Sequence, residues 1–396
     1  MNTIPTKTAC SACGTGAVNH DVARLFNILD EILNKTVGAL FLKLRIPNES
    51  ALADRVYGYL TVLLSLVGLV RFSSDRSKAS SGRSELIWEE AARRGIRMEQ
   101  IVVAGRYIEQ YRAKLQGRWF YFVSIPIPPW ISQVDYVWVD DKLALAHKLE
   151  ESHIPVPRAR LASSWSEALR AFDELTKPVI VKPRFGSRGR HTTTNINTHE
   201  ELLTAYDLAK QIARELVVEE HLFGSVCRAT LVSGKLVGFF SANPPQVTGD
   251  GVQAVSTLIE ARNKTRPERI GPIEITDDLT TFITRKGYTL DSILPSGIVL
   301  DLSAKTGRFY GGYTREFPLE TVHPKMRETV ERLAKLIDAP VLGFDLISTD
   351  PTVDPDTLRW GVIECNSLPF IDLHYYALEG TPNDIAPHIW DLWNKK

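Results

Sequence analysis

The chain has 396 residues, enough for a substantial core and for two or three domains. Lys+Arg and Asp+Glu both number 47, which excludes a global basic footprint for nucleic acid or anionic membrane. Four cysteines are few, and no second Cys or His pair stands at zinc-finger spacing from Cys10 and Cys13, so a reducing cytoplasm is the natural compartment.

Residues 1–18 are small, polar and aperiodic, a flexible tail whose CxxC could be redox-active, metal-binding with another chain, or incidental. The start lacks the pattern of a signal peptide. Helical spacing of apolar residues predicts a helix over His20–Lys35, and Val37–Ile46 could be a strand. Tyr57–Val70 is almost wholly apolar but short of the roughly 20 residues of a membrane span, so it reads as a buried helix, with an interfacial or partner-binding surface as the alternative. Ser73–Arg83 looks like a mobile linker. A helix over Glu85–Arg94, a strand over Ile96–Ala104 and a β-prone run at Arg118–Ile127 follow, ended by Pro126–Pro129.

Beyond these prolines helices and strands alternate. Helices are predicted over Lys142–Ser152, Ser164–Leu175 and Thr198–Arg214, and strands over Val179–Lys182 and Leu216–Glu220. Val226–Ser241 reads as a hairpin about Ser233-Gly234. Helices near Val255–Asn263, Thr276–Lys286 and Pro324–Ile337 lead to strands Val341–Ser348 and Leu358–Asn366, and Pro382–Trp393 closes as a helix. Such units with several hairpins argue for α+β layers rather than one parallel sheet.

Four stretches carry chemistry. Val179–Arg190 delivers Lys182 from a short strand into a loop bracketed by Gly186 and Gly189, with Arg184, Arg188 and Arg190. Glycines let backbone N–H groups approach phosphate oxygens while the cations neutralise them; a solvated basic turn is the alternative. Lys142 begins a helix, a reasonable anion site with an exposed surface lysine as the alternative, and Leu216–Glu220 ends in paired acids ahead of Phe223, an apolar wall for an adenine edge. Finally, a hairpin about Asp354-Pro355 brings Asp345 opposite Glu364, and the two-residue period of a strand puts Asn366 on the same face. Two carboxylates and an amide oxygen suit Mg2+, which also keeps waters and substrate phosphates; an acidic, solvated hairpin is the alternative.

In that order, over roughly residues 135–396, the chain resembles the ATP-grasp superfamily, and within it the ATP-grasp module of cyanophycin synthetase and the glutathione-synthesising ligases. Val247-Thr248-Gly249-Asp250-Gly251 with Leu258-Ile259 and Asn263, then Gly287–Ser292, Pro295-Ser296-Gly297, Gly311-Gly312 and Val322-His323-Pro324, carry the likeness. Glu364–Pro369, His374 and Glu379-Gly380 complete it. The resemblance implies an α+β ATP-grasp fold, two subdomains clasping ATP, over residues 135–396, with a glycine-loop subdomain near 165–225. An N-terminal α/β domain over 19–134 precedes it.

It further implies that Lys142 and Lys182 hold ATP phosphates under a lid formed by Gly186, Ser187, Arg188 and Gly189. Glu219, Glu220 and Phe223 would border the adenine. Asp345, Glu364 and Asn366 would bind two Mg2+ ions, for which Mn2+ could substitute. Arg315, Arg228 and Lys305 are the cations expected near the acyl phosphate and substrate.

The implied activity is carboxylate–amine ligation through an acyl phosphate, on small-molecule or peptide acids and amines. The alternatives are an ATP-grasp small-molecule kinase and a catalytically degenerate nucleotide-binding protein. No nucleic acid or integral membrane span is expected, and a homo-oligomer is compatible with the sequence. The chain departs from the family at Val226, where an acid is usual, at His191, where the loop has glycine, and in the spacing of Gly307–Gly311. It stops without the Mur-ligase-like half of cyanophycin synthetase, so the expectation is a stand-alone ligase.

Overall fold

A computed structural model of the chain describes residues 20, 51–131, 139, 141–185, 190–268, 270–304, 306–307 and 310–394. The tail with Cys10 and Cys13, most of the expected His20–Lys35 helix, the Val37–Ile46 strand, Gly186–Gly189 and Lys305 lie outside the described residues.

Helix α1 spans Ala51–Leu66, and an antiparallel meander follows: β1 (Val70–Ser73), β2 (Arg97–Val103), β3 (Arg106–Leu115) and β4 (Arg118–Val123). Helix α2 (Gly82–Arg93) lies between β1 and β2 in the chain, N-capped by Ser81. The apolar Tyr57–Val70 run does not form the expected buried helix. It divides into the end of α1 and the start of β1, and among the described residues Tyr59 is 78% exposed, Leu63 60% and Leu66 79%. A helix that is apolar all round packs only the face it turns to the sheet, here toward β1 and β4.

The expected linker Ser73–Arg83 is also corrected. It contains the end of β1, a 3-10 turn at Arg76–Lys78 capped by Asp75, and the buried Arg83 at the start of α2. Strand β3, unforeseen because its inward Tyr111 and Ala113 alternate with charged residues, supplies the centre of the meander.

The middle of the chain builds a second antiparallel sheet in the order β5-β8-β6-β7, from Ala159–Ala162, Leu216–Glu220, Val179–Pro183 and Thr193–Ile196. Helices α4 (Trp165–Glu174) and α5 (His199–Lys210) cover it; each opens with a capping box, Ser164/Glu167 and Thr198/Glu201, which satisfies orphan N–H groups at its start. Helix α3 (Lys142–Glu151) precedes this sheet and is N-capped by Asp141.

The third sheet has the order β13-β10-β9-β14-β15, formed by Tyr313–Glu316, Lys235–Asn243, Ser225–Val232, Val341–Ser348 and Gly361–Asn366. Ser233 and Gly234 turn the β9–β10 hairpin with φ of 50° and 72°, the left-handed backbone such a tight turn demands. Helix α8 (Pro324–Ile337) packs Met326, Val330 and Leu333 against Cys227, Phe239, Phe344 and Cys365 from the back of this sheet. A small lobe of β11 (Gln246–Thr248), β12 (Val299–Asp301), α6 (Val255–Thr265) and α7 (Asp277–Arg285) has its own core. Short helices α9 (Asp372–Tyr375) and α10 (Ala386–Asp391) end the described chain.

The N-terminal layer shares its core with the C-terminus. Ile87, Trp88 and Tyr111 pack with Ile389, Trp390 and Trp393, and the Trp390 indole donates to the Ile87 carbonyl at 3.0 Å. Among the described residues no helix is long and apolar enough to cross a membrane.

Candidate active site

Three adjacent strands assemble the centre. Asp345 on β14 stands opposite Arg228 on β9 and opposite Glu364 on β15, and Gly343 stands opposite Asn366. Since Cys227, Phe344 and Cys365 fill the core behind the sheet, period-two alternation sends Arg228, Asp345, Glu364 and Asn366 to the front. The expected pairing of Asp345 with Glu364, and the common face with Asn366, are both present. Gly343 is required here: a Cβ would stand 2.7 Å from the Pro369 side chain and 3.3 Å from Nη1 of Arg228.

The Arg228 guanidinium donates through Nε and Nη2 to the two oxygens of Asp345, the second bond measuring 2.8 Å. Burial works against its charge, but Asp345 and then Glu364 outweigh this and hold its pKa above the ordinary arginine value. Nη1 of Arg228 and the Asn366 amide nitrogen are buried without a hydrogen-bond partner. Burial pushes the Glu364 carboxyl up from its usual range, with Lys142 opposing, Asp345 adding to the rise, and Arg228 and Lys182 opposing. The cations that oppose this rise are the lysines and the arginine singled out in the sequence, drawn from α3, β6 and β9.

Lys182 donates to Oε1 of Glu219 at 2.6 Å, with side chains only 10% and 7% exposed. Glu219 thus faces Lys182 across the β6–β8 pair. Glu220 turns the other way, taking hydrogen bonds from Arg158, Arg359 and the Thr176 backbone. Burial raises the Glu220 pKa, but Arg158 and Thr176 bring it below the usual value. Its carboxylate, expected at an adenine edge, instead ties β8 to the segments entering β5, β6 and β15. Phe223 is 55% exposed and meets the His221 ring edge-on at 4.7 Å. Burial, with Lys286 adding, takes His221 down to about 4.

Arg184, counted among the loop cations, is held by Asp141 and Glu215, which fastens the base of the loop to the start of α3. His191 has φ of 50°, the left-handed backbone for which glycine is the usual residue, and its buried ring places Nδ1 2.7 Å from the Leu208 carbonyl. Val226 shares the front face with Arg228.

Arg315 is not part of this centre. It pairs with Ser241, which pairs with Cys227, so it lies on the back of the sheet. There it is exposed and lines a cleft of about 330 Å3 with Ser225, Asn243 and Glu379.

Two sets of contacts escaped sequence reasoning, although His374 itself stands in the tail that carries the family likeness. His374 is fully buried between Thr230 Oγ1 at 2.7 Å and Glu316 Oε1 at 2.8 Å, a polar support two residues along β9 from Arg228. Arg83 reaches the segment beyond β15 from α2. Both contacts join residues too far apart in the chain for any local pattern to announce.

The front face fits a hard divalent cation with a phosphorylated ligand. Among the described residues no group of three or more His, Cys, Asp or Glu side chains forms a self-sufficient metal cage. The donor set is two carboxylates and an amide, which leaves positions for waters and phosphate oxygens, as Mg2+ prefers. Arg228 uses one lone pair on each Asp345 oxygen, so the second on each remains available.

Residues 139–367 match the family model of the ATP-grasp domain. Cyanophycin synthetase of Synechocystis sp. is 30% identical over 262 residues, 64% of this chain and 30% of that protein. The glutathione biosynthesis bifunctional protein of Streptococcus agalactiae is 28% identical over 268 residues, 62% of this chain and 35% of that one. A solved bifunctional glutathione synthetase from Pasteurella multocida superposes with a TM-score of 0.54 at 21% identity, over 79% of this chain and 44% of that chain. The chain spans about a third of the length of these curated relatives.

Proposed function

The chain belongs to the ATP-grasp family, and from that premise we propose that it is an ATP-dependent carboxylate–amine ligase working through an acyl phosphate. The observation that carries this reading is the common front face of Arg228, Asp345, Glu364 and Asn366 on three adjacent strands. Two carboxylates with an arginine on one of them, and with Lys142 and Lys182 acting electrostatically on the other, form the charge pattern that a nucleotide phosphate chain and its counter-ion require.

Asp345, Glu364 and Asn366 would hold Mg2+, which when bound supplies positive charge against the β- and γ-phosphates. Lys142 and Lys182 bind and orient the phosphate oxygens. Arg228 fixes the Asp345 carboxylate, and its remaining Nη1–H offers a donor to an incoming anion. A substrate carboxylate oxygen attacks the γ-phosphorus; the new P–O bond forms as the bond to the β-phosphate oxygen breaks and ADP leaves. An amine nitrogen then attacks the acyl carbon, the C–O bond to phosphate breaks, and the nitrogen loses a proton. This chemistry depends on positioning and charge neutralisation and requires no covalent nucleophile on the protein.

ADP release over pairs of acids and amines tests the proposal. Release that requires both partners is expected. A phosphorylated acid accumulating as the final product when amine is present would point to a kinase, and nucleotide binding without turnover on any pair to a non-catalytic binder.

A further inference from the structure

Resting on the ligase reading above, we propose that Arg83 is a positioning residue for the Mg2+–nucleotide end of the site, acting through the segment that leaves β15. Arg83 sits in the first turn of α2, in the N-terminal layer, and is 8% exposed. Its Nη1 donates to the Leu368 carbonyl and its Nη2 to Ser124 Oγ at 2.7 Å. Its guanidinium carbon lies 4.7 Å from the centre of the Phe370 ring. Glu109, 3.6 Å away, balances the charge and is itself held by hydrogen bonds from Ser81, Ser84 and Ser124.

Leu368 is two residues beyond Asn366, and Pro369 lies against Gly343 on β14. The backbone leaving β15 is thereby gripped at Leu368 and Phe370 by one planar cation and blocked at Pro369 by the neighbouring strand. Asn366 stands two residues upstream of that grip, in register with Gly343, and Glu364 follows one pleat away. Burying a guanidinium is costly, and apolar side chains would join two layers more cheaply. What the fork adds is orientation: several donors fixed in one plane, which a lysine does not reproduce. Groups that orient metal-ligating side chains in this way control metal affinity without touching the metal.

Calorimetric titration of the full chain with ADP, in Mg2+ and separately in EDTA, tests this with wild type, R83A, R83K and F370L. R83A and R83K should weaken binding about 10- to 100-fold in Mg2+ and leave it unchanged in EDTA, with F370L intermediate. Unchanged Mg2+-dependent affinity in a folded R83 variant overturns the proposal, as does an equal loss in both conditions, which marks general loosening. R83K keeps the buried charge and carries the test if R83A does not fold. If wild type itself binds no ADP in Mg2+, the ligase reading falls and this inference with it; if only the variants match wild type, this inference alone falls.

Discussion

Arg228 and Asp345 face each other on neighbouring strands, and the arginine holds both oxygens of the carboxylate. Glu364 stands opposite Asp345 on the other side, so the arginine supplies positive charge to two acids that face each other in a largely buried place. R228A should therefore do two things. It should destabilise the fold by about 3–5 kcal/mol, the usual result of stranding one member of a buried pair. It should also raise the Glu364 pKa further, because a stabilising cation is lost. Denaturant unfolding together with carboxyl titration by infrared spectroscopy would check both, and a loss below about 1 kcal/mol, the scale of an exposed ion pair, would show that the pair is not desolvated.

Glu364 has a raised pKa in the folded chain, so the sign of its pH dependence is fixed. The native state holds this proton more tightly than the unfolded state, so its contribution to stability is full below the unfolded carboxylate pKa. That contribution is lost as pH rises through the folded value. E364Q removes the penalty: nucleotide-free protein should melt at a higher temperature than wild type at pH 7–8, with the gap closing at acid pH. Turnover of the same variant should fall about a hundredfold or more, because the charge facing the cation is gone. Thermal melts across pH and an ADP-release assay read the two effects separately, and a variant that stays active in Mg2+ would remove Glu364 from the site.

Much of this centre is legible in the sequence because strands impose a simple geometry. Val341–Ser348, Leu216–Glu220 and Pro324–Ile337 have their expected limits, and a two-residue period places Asp345, Glu364 and Asn366 on one face as soon as the hairpin is drawn. The same logic could not place Arg315. Its face depends on how β13 pairs with β10, a register set by a long connection through the α6–α7 lobe. Nor could it show that Glu220 is engaged, since Arg158 and Arg359 lie 62 residues before it and 139 residues after it in the chain. Tyr57–Val70 misled for another reason: hydrophobicity sets what a helix tends to bury, but the sheet beneath α1 covers only one side of it.

His221 follows β8 directly and is kept neutral by burial, its pKa lowered to about 4. Here the sign is opposite to that of Glu364. The contribution of His221 to stability is present above the unfolded value of about 6.5 and is lost as pH falls from there through about 4. H221F should flatten the stability profile across that window by about 1–2 kcal/mol after discounting for partial exposure, with no change above pH 7. Urea unfolding at closely spaced pH values measures this, and parallel profiles for wild type and H221F would assign the acid loss to other groups.

Under the proposed function Lys182 has two separable roles, balancing Glu219 and binding phosphate, and its pairing with Glu219 allows them to be told apart. The ion pair is buried on both sides, so K182M leaves Glu219 uncompensated and should cost about 3–5 kcal/mol of stability. Nucleotide binding should weaken in the same variant, because the cation facing the phosphates is lost as well. Adding E219Q removes the stranded charge. K182M/E219Q should recover most of the stability, since a neutral pair of similar volume is tolerated where a lone carboxylate is not. It should recover none of the nucleotide affinity, because no positive charge has returned. Chemical denaturation of both variants, with calorimetric titration of ADP in Mg2+, separates the outcomes. If stability and affinity return together in the double variant, Lys182 serves the site only by neutralising Glu219; if stability alone returns, the ammonium group itself binds phosphate.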